Sequence, residues 1–370
     1  MRANSCVVID VGSQCVKAGF ADTFPKEQEP HIIVENAVVA EEDIPQALEY
    51  DDALKQKVFY IHPMKKGVLS DVDALEVVIG HVLYGMCGWI QGAEEHVVMV
   101  EPILTSKLDR ERMAQVMFET FNLSTYFVTD AAVASLYSVG KTGGIVVDVG
   151  FEKIDVAPVL EGVMHPSVAS RVPVGGKHMT DVLMDVLNEE YGCHVSFHEA
   201  EDIKVGACRH GMNEESYEYT LPDGQKINVV DQLSRVKSRI LEPSSFGLDV
   251  PSLAESCIHA SMVTTVHGER DSRKTLMENV FMCGGGSGVP DLSVDLLKQI
   301  SSRAHASLTP GLCQVPEHMP QHTGLYSSWF GGSVIGSVIY NQANAQIGQQ
   351  AVTKGEYHEY GPSAVHRHCS

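Results

Sequence analysis

Gly143-Gly144-Ile145-Val146-Val147-Asp148-Val149-Gly150 is an apolar, β-branched run that delivers an aspartate, one apolar residue and a glycine. Near the start of the chain, Cys6-Val7-Val8-Ile9-Asp10-Val11-Gly12-Ser13 does the same. Each run turns back into a second apolar stretch, Val16-Lys17-Ala18-Gly19-Phe20 in the first copy and Ile154-Asp155-Val156-Ala157-Pro158 in the second. The pattern is strand, tight loop, strand, twice over. Glycine in such a loop lets backbone amides approach an anion, and an aspartate at the strand end can hold a hydrated divalent cation. A single copy is more often a plain hairpin turn between buried strands. Two copies heading two halves of one chain point further, to a grip on a nucleotide triphosphate tail from both sides.

With 370 residues the chain is long enough for about two domains with large cores. Hydrophobic residues make up 44% and charged residues 20%, the balance of a globular protein rather than a disordered one. The 48 acidic side chains exceed the 27 Lys and Arg, for a formal charge of -21. Such a surface repels phosphate backbones, so direct binding to nucleic acid is not expected, whereas a basic partner is. The nine cysteines are scattered without a Cys-x-x-Cys pair, which fits free thiols in a reducing compartment. Neither a signal peptide nor an apolar run of membrane-spanning length is expected from the sequence.

Along the chain, Ile32-Ile33-Val34 reads as a strand, and the acidic segment from Glu41 to Asp52 as an exposed insertion. Leu75, Val78, Ile79, Val82 and Leu83 have helical spacing after a cap at Ser70 or Asp71. A strand at Val97-Val98-Met99-Val100, a helix over Asp109 to Phe121, a strand at Tyr126-Phe127-Val128 and a helix over Ala131 to Val139 follow. Alternation of this kind belongs to a layered α/β domain. In the second half, helices are expected over Thr180 to Tyr191, Glu199 to Gly211 and Leu253 to Thr265, with a hairpin around Pro222-Asp223-Gly224. A strand at Asn279 to Cys283 runs into Gly284-Gly285-Gly286-Ser287-Gly288 and then a helix near Leu292 to Ile300, a glycine turn suited to close approach of a ligand. A last helix of small residues begins at Trp329-Phe330-Gly331-Gly332-Ser333. Cys193-His194 with His198, and His366 to Cys369, complete no zinc spacing and read as surface or core residues. Nothing recommends covalent catalysis.

Two Asp-x-Gly loops followed by a Gly-Gly-Gly turn resemble the actin, sugar kinase and heat-shock ATPase superfamily, and within it the actins and actin-related proteins. The stretches that carry this are Asp10 to Ala21, Gln115 to Asn122, Ala134 to Gly140, Leu221 to Gln225, Trp329 to Ser333 and Gly361 to the end. Short stretches at Lys153 to Gly162 and Gly85 to Trp89 are most similar to the plant nuclear class seven of that family. The resemblance implies an α/β actin-like fold of two related domains, in four subdomains, around a central nucleotide cleft. Its first half would be 1–140 with 340–370, carrying an insertion at about 35–62, and its second half 141–339. It implies ATP with Mg2+. Asp10, Gly12, Ser13 and Lys17 would form the first phosphate loop, Asp148 and Gly150 the second, and Gly284, Gly285 and Gly286 the adenosine turn. Asp10 and Asp148 would hold the cation through water.

Departures from the family pattern are as informative. Ala131 stands where actins carry the glutamine that orients attacking water, Phe151 and Glu152 follow Gly150 in place of an acid and a glycine, and Val205 replaces a glutamate near the ribose. The sequence therefore predicts bound nucleotide with little or no hydrolysis. The segment from Glu35 to Tyr60 does not resemble the loop through which actin subunits meet, so a non-filamentous protein is expected rather than a cytoskeletal one that polymerises or caps filaments. The class implies a nucleus-located subunit of a SWI/SNF-type chromatin-remodelling assembly, with some cytoplasmic pool. Its partners would be a basic helix of a Snf2-type ATPase and a second actin-related protein or actin. Tyr137, Val139, Trp329 and Phe330 are the expected docking residues.

Overall fold

Six strands form the sheet of the first compact unit, in the order Val352–Thr353, Thr125–Asp130, His96–Glu101, Cys6–Val11, Cys15–Phe20, Ile32–Glu35. The structure, a computed structural model, describes residues 6–21, 30–40, 49–51, 56–90, 95–192, 194–210, 218–221, 224–263, 269–320, 323–341 and 350–368. The turn-rich run 23–29, the acidic stretch 41–48 with Asp52, Pro222 with Asp223, Cys193 and Cys369 lie outside those residues. The three central strands are parallel to one another, and all six side chains of Cys6–Val11 are buried. Helices cover both faces of a parallel sheet, so its strands are continuous apolar runs rather than alternating ones.

The chain divides into a unit of Met1–Gly140 with Pro316–Ser370 and a unit of Lys141–Val315. The helix Thr323–Asn341 thus belongs to the first unit, which corrects the expected return point at 340. Small residues are the reason. An ideal Cβ on Gly331 would lie 1.6 Å from the carbonyl oxygen of Ala134, so backbone meets backbone where this helix crosses Ala131–Ser138. On the sheet side, a Cβ on Gly332 would meet Val100 and Val8 at 2.7 and 2.8 Å. Trp329, Phe330, Ile335 and Ile339 complete this layer against Cys6, Val8, Val98 and Val100.

In the second unit Gly144–Val149 lies between Ile154–Leu160, antiparallel, and Val280–Cys283, parallel. The helix Gly176–Tyr191 begins at Gly176 rather than at the expected Thr180, and the helix Val230–Leu241 is not among those expected from the sequence. The expected helix over Asp109 to Phe121 is an α-helix at Lys107–Gln115, capped by Ser106, that widens into a π-helical turn at Val116–Thr120. The insertion carries a small antiparallel sheet of Val38–Ala40, Gln56–Ile61 and Glu49–Asp51.

Candidate functional site

The repeat seen in the sequence is a repeat of backbone geometry. Val11 pairs with Val16 and Val149 with Ile154, each closing a four-residue loop. Inside each loop the glycine N–H donates across the turn, Gly12 to the Cys15 carbonyl at 3.1 Å and Gly150 to the Lys153 carbonyl at 2.9 Å. The side chains then diverge.

In the first hairpin the residue opposite Asp10 is Lys17. Its ammonium donates to Asp10 Oδ2 at 2.9 Å, and Ser328 Oγ, from the last helix, donates to the same oxygen at 2.8 Å. Asp10 is buried while Lys17 keeps a side-chain exposure of 20%, so the ammonium can reach a ligand at the loop without leaving its partner's vicinity. Asn36 Nδ2 fixes the loop from below by donating to the Gly12 carbonyl at 2.7 Å. Its Oδ1 is buried and has no partner among the described residues. Ser13 is half-buried at the tip.

In the second hairpin the residue opposite Asp148 is another acid, Asp155. The cation comes instead from the end of the loop. Lys153 Nζ donates to Asp148 Oδ2 at 3.3 Å and also to Asp155, which Arg171 holds from its far side at 2.7 Å. Burial works against the Lys153 ammonium, but Asp155 and Asp148 outweigh it and hold its pKa above the usual lysine range. Two cations facing two carboxylates leave this buried cluster neutral. The loop is also stapled to the helix that follows, since Gly176 N–H donates to the Gly150 carbonyl and Lys177 N–H to the Phe151 carbonyl, both at 2.8 Å.

The glycine turn lies directly beside this loop, because Val280–Cys283 runs parallel to Gly144–Val149 with Cys283 opposite Asp148. Gly284 has a left-handed φ of 87°. A side chain there would be strained, and its Cβ would lie 2.2 Å from Asp148 Oδ1. Gly286 packs against Val149, while a Cβ on Gly285 would meet nothing within 4 Å. The structure therefore brings Asp148, Gly150, Gly284, Gly285 and Gly286 together in the second unit. It likewise brings Asp10, Gly12, Ser13 and Lys17 together in the first.

Near the first hairpin, an apolar cavity of about 150 Å³ lined by Val11, Leu75, Met99 and Met113 reaches Glu101. Arg110 Nε donates to Glu101 at 2.7 Å, and its Nη2 lies 4.0 Å from Asp130. Burial pushes the Glu101 carboxyl up to about 7 and that of Asp130 up to about 6, and the Arg110 guanidinium offsets only part of this.

The Actin family model matches residues 1–205 and 189–370. The chain belongs to the actin family. Actin-related protein 7 of Arabidopsis thaliana is 32% identical to it over 373 residues, which cover 98% of this chain and 99% of that relative. Actin-related protein 7 of Oryza sativa subsp. japonica is 32% identical over 380 residues, again 98% and 99% of the two chains. The mixed α/β units described above are those of an actin-like fold.

Within this actin-related protein, one set of expected roles needs correction. Val139, Trp329 and Phe330 are buried in the first unit, so these three side chains build core rather than a docking surface, and Tyr137 is half-buried against the cluster that holds Trp329 and Phe330. The run of aromatic and small residues is the layer between the last helix and the sheet. The surroundings of the two aspartates are also on view: Asp10 Oδ2 accepts from Lys17 and Ser328, and Asp148 Oδ2 accepts from Lys153 while the Asp148 side chain keeps 25% exposure.

Ala131 sits half-buried at the first turn of its helix, after Asp130, and its methyl group can neither donate nor accept. Val205 lies in the helix Phe197–His210, beside Lys204, whose ammonium is buried on the Gly176 carbonyl, Thr180 and Glu201. The residues that sequence reasoning missed are Lys153, Arg171, Asn36 and Ser328. Lys153 and Asp155 did leave a signal, as two charges flanking Ile154 in an otherwise apolar strand. Ser328 left none, being 318 positions from its partner.

Proposed function

We propose that this actin-related protein is a nucleotide-holding, non-filamentous subunit of a nuclear chromatin-remodelling assembly of the SWI/SNF type, and that it holds ATP with little turnover. The observation that carries the nucleotide half is the pair of matching Asp-x-Gly hairpins, each with a glycine-closed turn and a lysine on its aspartate. A lysine next to such a turn supplies a charge-assisted contact to a phosphate. Slow turnover is supported by Ala131, which leaves no side chain to orient water, and by the carbonyls of Gly150 and Phe151, which are occupied by the helix N-terminus. Assembly is supported by kinship with actin-related proteins and by the formal charge of -21, which suits a basic helix of a motor ATPase. A second actin-related protein or actin would complete the pair on that helix.

Equilibrium titration of the purified chain with ATP, followed by a phosphate-release assay, tests this reading. Binding should saturate, and Lys17→Met should weaken it about tenfold or more, the worth of one charge-assisted hydrogen bond. Phosphate release should stay at the level of buffer. Steady release that disappears in Asp148→Ala would overturn the low-turnover reading, and absence of ATP binding would overturn the nucleotide reading altogether.

A further inference from the structure

We propose that Lys153 is a built-in counter-cation, so that the second hairpin accepts the phosphates of a nucleotide free of any divalent metal ion. The inference rests on the nucleotide reading above and deepens it by naming the form of the ligand. An aspartate at the end of a phosphate loop is tolerable to a polyphosphate only if its charge is cancelled, and a hydrated cation is one way to cancel it. Here the cancellation is covalently part of the loop. Lys153 is the fourth residue of the turn, its carbonyl closes the turn on Gly150 N–H, and its ammonium is pinned between Asp148 and Asp155.

The side chain is 9% exposed, which prevents it from swinging out to solvent and vacating the position. An ammonium has three N–H donors, and Asp148 and Asp155 account for two of them here. Lys153 lies closer to Asp155 than to Asp148, but Arg171 pairs with Asp155 as well, so that two cations serve the two carboxylates. The Asp148 side chain keeps 25% exposure, with Lys153 already on Oδ2. A six-coordinate, water-keeping ion would have to share this carboxylate with an ammonium that repels it. The first hairpin follows the same plan with Lys17 and Ser328 on Asp10. Each loop brings its own cation, and the ligand of matching chemistry is the metal-free nucleoside di- or triphosphate.

The test is titration of the full chain with ATP, once with magnesium in excess and once with EDTA in excess. The wild-type dissociation constant should agree between the two within about threefold. Lys153→Met removes the charge and keeps the bulk, leaving Asp155 to Arg171, and should make binding depend on magnesium by about tenfold or more, while Lys153→Arg restores the wild-type behaviour. A second variant, Asp148→Asn, removes the anion that Lys153 neutralises and should tighten ATP binding in EDTA. A wild-type affinity that falls about tenfold or more in EDTA would overturn the inference and leave the nucleotide reading standing. A folded Lys153→Met chain that is as indifferent to magnesium as the wild type would overturn it too. Absence of binding in both conditions would remove the nucleotide reading and this inference together.

Discussion

Replacing Gly331 with alanine is expected to destabilise the first unit by about 3 kcal/mol, the upper end of what overpacking a tight core costs. The added methyl would sit 1.6 Å from the Ala134 carbonyl oxygen and 2.9 Å from its Cα, and both are backbone atoms of a buried helix. No rotamer change can relieve such a contact, so the helices Ala131–Ser138 and Thr323–Asn341 must separate. Moving the second of them outward also pulls Trp329 and Phe330 from the sheet and Ser328 from Asp10. Gly324, ahead of the kink at Tyr326 in the same segment, is the control, because a Cβ there meets nothing within 4 Å. Urea unfolding of the two variants decides the matter. A Gly331→Ala midpoint equal to that of Gly324→Ala would show that the close helix crossing is wrong.

The other large effect concerns Asp155. Its carboxylate, 3% exposed, is the shared partner of Lys153 and Arg171. Asp155→Ala leaves two buried cations with only Asp148, 3.3 Å from Lys153, to serve them, and breaking a buried ion pair in this manner costs about 3 to 5 kcal/mol. The second unit should therefore unfold at markedly lower denaturant, and the loss should shrink when Arg171→Met is added, because the added change removes one of the stranded charges. Additive losses in the double variant would mean that the cluster does not act as a unit.

These two expectations show how unevenly the molecule is written in its sequence. The two hairpins were legible because everything that makes them is local: β-branched strands, an aspartate, and a glycine two residues on. Their glycine-closed turns are the same four-residue loop in both copies. Most helices were legible from spacing, as in Leu75, Val78 and Ile79, with Asp71 capping through the Ala74 amide. The helix Val230–Leu241 was not among them, although Leu233, Val236 and Ile240 carry helical spacing and are buried. What could not be read was packing between distant segments. The resemblance implies a docking role for Trp329 and Phe330, whereas their burial and the close approach of Gly331 to Ala134 place them in the core.

The site divides along the same line. Asp10, Gly12, Asp148 and Gly150 are placed by the strands that contain them. The state of their charges is placed by side chains elsewhere, Ser328 for Asp10 and the Lys153, Asp155 and Arg171 cluster for Asp148. The loop residues themselves stand where the repeat puts them, while the charges beside each aspartate come from neighbours that the repeat does not show.

The most direct test of a nucleotide-holding subunit of a remodelling assembly is purification of the tagged full chain from nuclear extract, with its companions identified by mass spectrometry. A large Snf2-type ATPase together with a second actin-related protein or actin should be recovered in comparable amounts. Recovery of filament proteins or dynein-associated proteins in their place would contradict the account and make this a cytoskeletal member of the actin family.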